Sequence, residues 1–301
     1  MILQSLTQTI VLDVIIIGES MEYKELDNKS ALNKVKGGFP YIWDLNIYRG
    51  CEHKCKYCFA IYTHDYLEDN YFETIYYKKN ILECLEKELS SPNWKREAVN
   101  IGGVTDTYQP LEKELKIMPE VLKLMIKYKT PIIISTKSKL ILRDIELIKE
   151  LAEITTVNIA CTITTPDEKL REALEPNGSS SIDRFKVLNE IKAKTKATIG
   201  VHIMPVIPYL TDDYNSLKAI YRTAKKINAD YVLPGALNLR GKTKPYFLDF
   251  VKDYNIDIYN KINALYPKSS AGKEYNYELY KKINKLEKEY NMSSDYRKGL
   301  R

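Results

Sequence analysis

Apolar and β-branched residues gather in six short runs, at 44–48, 99–102, 131–135, 156–162, 198–204 and 231–237, each about as long as a buried strand. Between the runs the period changes. Over 72–89, 113–128, 142–152, 183–193 and 213–227 the apolar positions recur every three or four residues, the spacing of an amphipathic helix. Strands alternating with helices of this length predict βα units around a parallel sheet. Six such units predict an α/β fold built as a partial (β/α)6 barrel, TIM-like but open. Local signals agree: Pro92 and Pro131 close helical stretches, and Thr211 is placed to cap a helix opening on Asp212 and Asp213, whose charges suit a helix N-terminus.

Two more helical patterns, 245–265 and 273–290, follow the last strand and are joined by a turn-rich segment at 267–272. They predict a C-terminal helical extension over 241–301 that ends in a polar, frayed tail from Ser293 onward. The barrel is expected over 21–240. Residues 1–20 are a lead segment with three readings: an extra strand, a disordered leader, or an artefact of the start site, since Met21 offers a second start. Its apolar stretch at 10–17 is broken by Asp13, is too short to span a bilayer and follows no basic segment. Neither a membrane anchor nor an export signal is expected.

The net charge of +6 leans toward an anionic partner such as nucleic acid, but lysine and arginine are dispersed along the chain. A solvated lysine-rich surface is the plainer reading. Cysteine usage changes the picture more. Three of the 5 cysteines, Cys51, Cys55 and Cys58, fall within eight residues, which does not resemble a secreted disulfide scaffold. Reduced thiols and a cytoplasmic setting follow.

That spacing supplies three thiolates to one metal centre, directly after the first strand. In a [4Fe–4S] cluster three protein ligands leave one iron open to a small molecule, where four cysteines would close it. Two other readings stand beside this one. His53 or His64 completes a Cys3His zinc site in a non-catalytic module, or the cluster serves electron transfer alone. Parallel barrels carry their chemistry on the loops after the strands, and the other chemically loaded segments fall there too: Gly102-Gly103 with Thr105 and Asp106, Ser135 to Ser138 with Lys137, Thr162 with Thr164, and the His202 to Pro205 run. His202 alone in a strand reads as a core residue. Cys84 on a helix and Cys161 at a strand end read as small buried hydrophobes.

The Cys-x3-Cys-x2-Cys pattern, with Tyr57 just before the last cysteine, resembles the signature of the radical S-adenosylmethionine (SAM) superfamily. Further motifs narrow the likeness: Trp43 to Ala60, Gly103 to Glu112, Ser135 to Ser138, Leu174-Glu175-Pro176 with Arg184, and Pro205 to Pro208 look like the spore photoproduct lyase-like branch, over roughly residues 30 to 235. The resemblance implies a [4Fe–4S] cluster held by Cys51, Cys55 and Cys58, and SAM cleaved reductively to a 5′-deoxyadenosyl radical that abstracts hydrogen from a substrate. It implies an external one-electron donor, and a nucleic-acid base or DNA as the candidate substrate of a lyase-like or radical-based modification.

Residue by residue, the resemblance places Tyr57 and Phe59 beside adenine and Gly102, Gly103, Thr105 and Asp106 at the SAM amine. Ser135, Lys137, Thr162 and Thr164 fall along the carboxylate, ribose and methionyl portions. Tyr108, Gln109, Glu112 and Arg184 are left for substrate or architecture, and Glu175 with Arg184 reads equally as a buried ion pair. Spore photoproduct lyase uses a further cysteine near the second-strand loop as hydrogen donor, whereas 99–108 contains none here. Tyr62 and Tyr108 are the candidate replacements.

Overall fold

The computed structural model describes residues 21–35, 39–64 and 70–299, so the lead at 1–20 lies outside the described residues. The six expected strands are present as β3 (Trp43–Leu45), β6 (Val99–Ile101), β7 (Ile132–Thr136), β8 (Val157–Thr162), β9 (Thr198–Val206) and β10 (Tyr231–Ala236). They pair in parallel and in chain order, with β2 (Leu32–Lys34) added antiparallel to β3 at one edge. Among the described residues the sheet does not close: it is a partial (β/α)6 barrel.

Register explains which face is which. Leu45, Ile101, Ile134, Ile159 and Ile199 lie in one row across the strands, all fully buried under the helices. Strand side chains alternate in direction. The neighbouring row, Asp44, Asn100, Ile133, Asn158 and Thr198, therefore faces the inside of the barrel and is mostly polar. The outer layer comprises α1 (Ile81–Leu89), α2 (Glu112–Leu115), α3 (Ile117–Lys127), α4 (Ile145–Ile154), α5 (Glu168–Leu174), α6 (Ser181–Lys194) and α7 (Tyr214–Lys226).

Four local expectations are corrected. The stretch 72–89 is not one helix: Thr-Ile-Tyr-Tyr-Lys, rich in strand formers, makes β5 (Thr74–Lys78), and the helix starts at Ile81. β5 pairs with β1 (Glu22–Leu26) and β4 (Tyr48–Arg49) in a separate small sheet. Asp213, not Thr211, caps α7 by accepting from Ser216 N at 2.9 Å, while Thr211 Oγ1 accepts from Ile207 N. The pattern at 245–265 breaks at Asn255, which caps α9 (Ile256–Leu265) and separates it from α8 (Thr243–Tyr254). Finally, the tail is tied rather than frayed, because Ser293 O accepts from Val232 N and Tyr296 O from the Asn158 amide.

The C-terminal helices divide their work. α10 (Gly272–Tyr290) buries Leu279, Ile283 and Leu286 in the main core. α8 and α9 place Phe247, Val251 and Ile262 in a second apolar cluster that also contains Cys55 and Tyr57. No described helix is long and apolar enough to cross a membrane.

Candidate active site

The cysteine loop begins where β4 ends. Gly50 has φ +82°, and a Cβ there would stand 2.5 Å from Thr74 O, so the chain turns through a position that requires glycine. Backbone bonds then set the loop: Cys51 N to Tyr71 O, Lys54 N to Cys51 O, Lys56 N to Leu174 O and Cys58 N to Cys55 O. Thr243 at the start of α8 donates to Cys58 O at 3.1 Å. A 3-10 helix (Phe59–His64) follows. All three thiols are free, and each feels the others' charge. Burial pushes Cys55 well above the ordinary thiol value and Cys58 up to about 11. Burial acts on Cys51 too, but hydrogen bonding and charge from His53 bring it below its usual value.

Two braces fix this loop against the neighbouring loops. Glu52 is buried; its backbone N–H donates to Gln109 Oε1 at 2.9 Å, and its carboxylate accepts from Leu111 N at 2.7 Å and Tyr23 OH at 2.9 Å. His53 lies 3.3 Å from Asp106 through Nδ1, both groups being buried. Burial lowers the His53 pKa, but Asp106 and Cys51 outweigh it and raise it to about 10. Asp106 also accepts from Thr136 Oγ1, Tyr108 N and Lys137 N, at 2.7 to 3.0 Å. These protein donors account for its carboxylate, so it ties loops together rather than standing open to a SAM amine.

Glu175 is the second hub. Fully buried, it pairs with Arg184 and accepts from Tyr57 OH and from Thr164 Oγ1, the last at 2.9 Å. Arg184 donates in addition to Thr162 O at 2.8 Å. Lys137 is half-buried above the Tyr57 ring, 5.8 Å from its centroid, and its charge lowers the Glu175 pKa together with that of Arg184, against the effect of burial. Tyr57, Lys137, Thr162, Thr164 and Arg184 thus converge around one carboxylate beside Cys55. Tyr57 turns its hydroxyl into this hub, so only its ring is left for an adenine.

Other residues singled out in the sequence sit apart. Phe59 and Tyr62 are exposed on the 3-10 helix, their rings 6.4 Å apart. Tyr108 is fully buried in the apolar core, which corrects its reading as a hydrogen donor to a substrate in the barrel. Glu112, also fully buried, accepts from Tyr48 OH, Ile117 N, Met118 N and Arg143, an architectural role at the start of α3. Thr105 Oγ1 donates to Gly50 O at 2.7 Å. Gly102 has φ +86°, and a Cβ on Gly103 would meet Asp44 Oδ2 at 2.5 Å, so close backbone approach to Asp44 accounts for the second glycine.

Sequence reading missed the polar chain inside the barrel. Ser135 Oγ lies 3.1 Å from His202 Nδ1, His202 Nε2 lies 3.2 Å from Tyr231 OH, and Tyr231 OH donates to Asn158 Oδ1 at 2.9 Å. Burial lowers the His202 pKa to about 4, so the ring is neutral at pH 7. The signal was available as polar residues at alternate positions of otherwise apolar strands.

The donor set fits a cluster better than a single ion. Among the described residues no three His, Cys, Asp or Glu side chains meet where one metal ion could sit, and His53 is already engaged with Asp106. A cluster needs no such meeting point, because each thiolate takes a different iron.

Comparison with known proteins points the same way. Residues 45–220 match the model of the Radical SAM superfamily. An uncharacterized protein of Mycobacterium tuberculosis is 33% identical over 256 residues, covering 82% of this chain and 74% of that one. An uncharacterized protein of Methanocaldococcus jannaschii is 29% identical over 201 residues, or 65% of this chain and 72% of its own. In fold, the chain is similar to spore photoproduct lyase with bound AdoMet and dinucleoside spore photoproduct, with a TM-score of 0.64 at 11% identity over 89% of this chain and 79% of that one.

Proposed function

Since the chain belongs to the radical SAM superfamily, whose members use a [4Fe–4S] cluster and S-adenosylmethionine, we propose that Cys51, Cys55 and Cys58 each hold one iron and leave the fourth for SAM. The observation that carries this reading is the braced loop with three free thiols following the first parallel strand. The bound cofactors supply the radical chemistry: an electron from the reduced cluster cleaves SAM to methionine and a 5′-deoxyadenosyl radical. The chain's part is to bind, orient and shield them.

In this reading Gly102, Gly103 and Thr105 shape the backbone wall facing the SAM amine, and Ser135, Lys137, Thr162 and Thr164 line the carboxylate and ribose side. Lys137 supplies the positive charge. Asp106 acts through His53, Thr136 and the Lys137 backbone. Tyr57 and Phe59 flank the adenine, Tyr57 through its ring face. Gln109, Glu112 and Arg184 hold the loops, and Tyr62, exposed on the rim, is the remaining tyrosine for hydrogen donation. We take 21–240 as the catalytic barrel and 241–301 as its helical extension. The free cysteines suit a reducing compartment, and we assign the cytoplasm.

For substrate we favour a nucleic-acid base. Support comes from the fold shared with spore photoproduct lyase and from the uncharged hydrogen-bonding groups inside the barrel, Ser135, Asn158 and His202. A base inside a duplex would have to be extruded to reach them. An external one-electron donor reduces the cluster.

The test is anaerobic reduction with dithionite in the presence of SAM, followed by mass spectrometry. Wild type should release 5′-deoxyadenosine and Cys55→Ala should not. SAM left intact by a reduced, iron-loaded wild type would make this an electron-transfer protein. Oligonucleotide binding whose affinity falls steeply with salt supports the substrate class, and binding without a salt slope contradicts it.

A further inference from the structure

Cys51 differs from the other two cysteines in what stands beside its sulfur. The His53 ring hydrogen-bonds the Cys51 thiol on one side and faces Asp106 Oδ2, 3.3 Å from Nδ1, on the other. Both partners are held. Asp106 is fixed by Thr136 Oγ1 at 2.8 Å and Lys137 N at 2.7 Å. The loop carrying His53 is pinned by Asn177, whose amide donates to Glu52 O at 2.7 Å and whose backbone N–H reaches His53 O. The histidine is 2% exposed, so its hydrogen bonds act in a low-dielectric setting where they are strong. Cys58 lacks such a donor: Tyr71 OH, 4.0 Å from its sulfur, gives its proton to Val104 O at 2.6 Å.

A donor aimed at a cluster sulfur stabilises the more negative, reduced cluster over the oxidised one. Resting on the cluster assignment above, we propose that His53, clamped by Asp106, is a positioning residue that raises the reduction potential of the cluster through its hydrogen bond to the Cys51 sulfur. The Asp106 clamp then explains why the motif carries a histidine that ligates nothing: the second-shell pair orients the ring toward the sulfur, and the same aspartate ties that ring to the Thr136–Lys137 loop, where Lys137 is placed for SAM.

The test uses reconstituted, SAM-free wild type, His53→Ala and His53→Gln, with iron counted for each and the EPR signal of the reduced cluster followed through a mediated dithionite titration. In His53→Ala the ratio of reduced to oxidised cluster, read at the wild-type midpoint, should fall about tenfold, a shift of about 59 mV for one electron. His53→Gln, which keeps an N–H donor, should recover part of it. Full iron with an unchanged midpoint in His53→Ala overturns the inference. So does loss of iron in both variants, which would make His53 a structural prop of the loop. Wild type that takes up no iron removes the cluster assignment itself and this inference with it.

Discussion

Arg184→Met removes one half of the Glu175 hub and leaves a carboxylate sealed in the interior. Breaking a buried ion pair from one side costs about 3–5 kcal/mol, because the remaining charge is uncompensated. Here Tyr57 OH, Thr164 Oγ1 and the Lys137 charge still face Glu175, which puts the cost at the low end, about 3 kcal/mol. Unfolding entropy of about 2.1 cal/mol/K per residue, over a chain of this size, converts that into a melting point about 5 °C lower. Glu175 gains its depressed pKa mainly from Arg184 working against burial. A depressed carboxylate stabilises the fold above its unfolded pKa and loses that contribution as pH falls through its folded value, so wild type should lose stability on acidification and the variant much less. Glu175→Gln/Arg184→Met carries no buried charge and should regain most of the loss. Calorimetry on cluster-free, reduced protein reads all three. A single variant melting within about 1 °C of wild type, well inside the shift expected from the chain's unfolding entropy, would refute the reasoning, as would a double variant no better than the single.

Lys78 in β5 is buried, and burial together with the nearby Arg49 charge lowers its pKa to about 8. A lysine depressed in the fold binds fewer protons there than in the unfolded chain, so stability should rise by about 1.5 kcal/mol between pH 8 and 9.5, measured by urea unfolding; Lys78→Met should abolish the rise. Gly200→Ala puts a Cβ 2.0 Å from Tyr231 Cζ, and the overpacking should cost about 1–3 kcal/mol and loosen the ring that bridges His202 and Asn158, seen as a lower urea midpoint. A midpoint equal to wild type would show that Tyr231 has room to move. Phe59→Ala, at a 56% exposed position, should leave stability within about 0.5 kcal/mol while weakening SAM binding in equilibrium dialysis. Unchanged SAM affinity would remove Phe59 from the adenine site.

What the sequence revealed depended on whether a feature was local. Strands such as Val157–Thr162 announce themselves because buried parallel strands are continuous apolar runs. The cysteine spacing is likewise a property of eight consecutive residues. β5 was hidden because its partners, β1 and β4, lie far from it in the chain and its Thr-Ile-Tyr-Tyr run abuts a true helix. α5 escaped notice as a short helix whose start is set by one Asp167 cap. His202 looked like an isolated core histidine because its partners, Ser135 and Tyr231, stand 67 and 29 residues away. The same distance effect misled the reading of Asp106 and Glu112. Each is an acidic residue in a motif, and what decides its role is a donor on another loop, Thr136 and Lys137 for one and Arg143 for the other. The Glu175–Arg184 pair was legible because nine residues of loop and helix bring the two together.

The central claim is an iron left open among three cysteine-held neighbours. Mössbauer spectroscopy of protein reconstituted anaerobically with isotopically enriched iron tests it most directly. Adding SAM should move the spectrum of about one iron in four, the site without a cysteine, and leave the other three in place. A cluster whose irons all keep their spectra when SAM is added, in protein that carries a full complement of iron, would contradict the account.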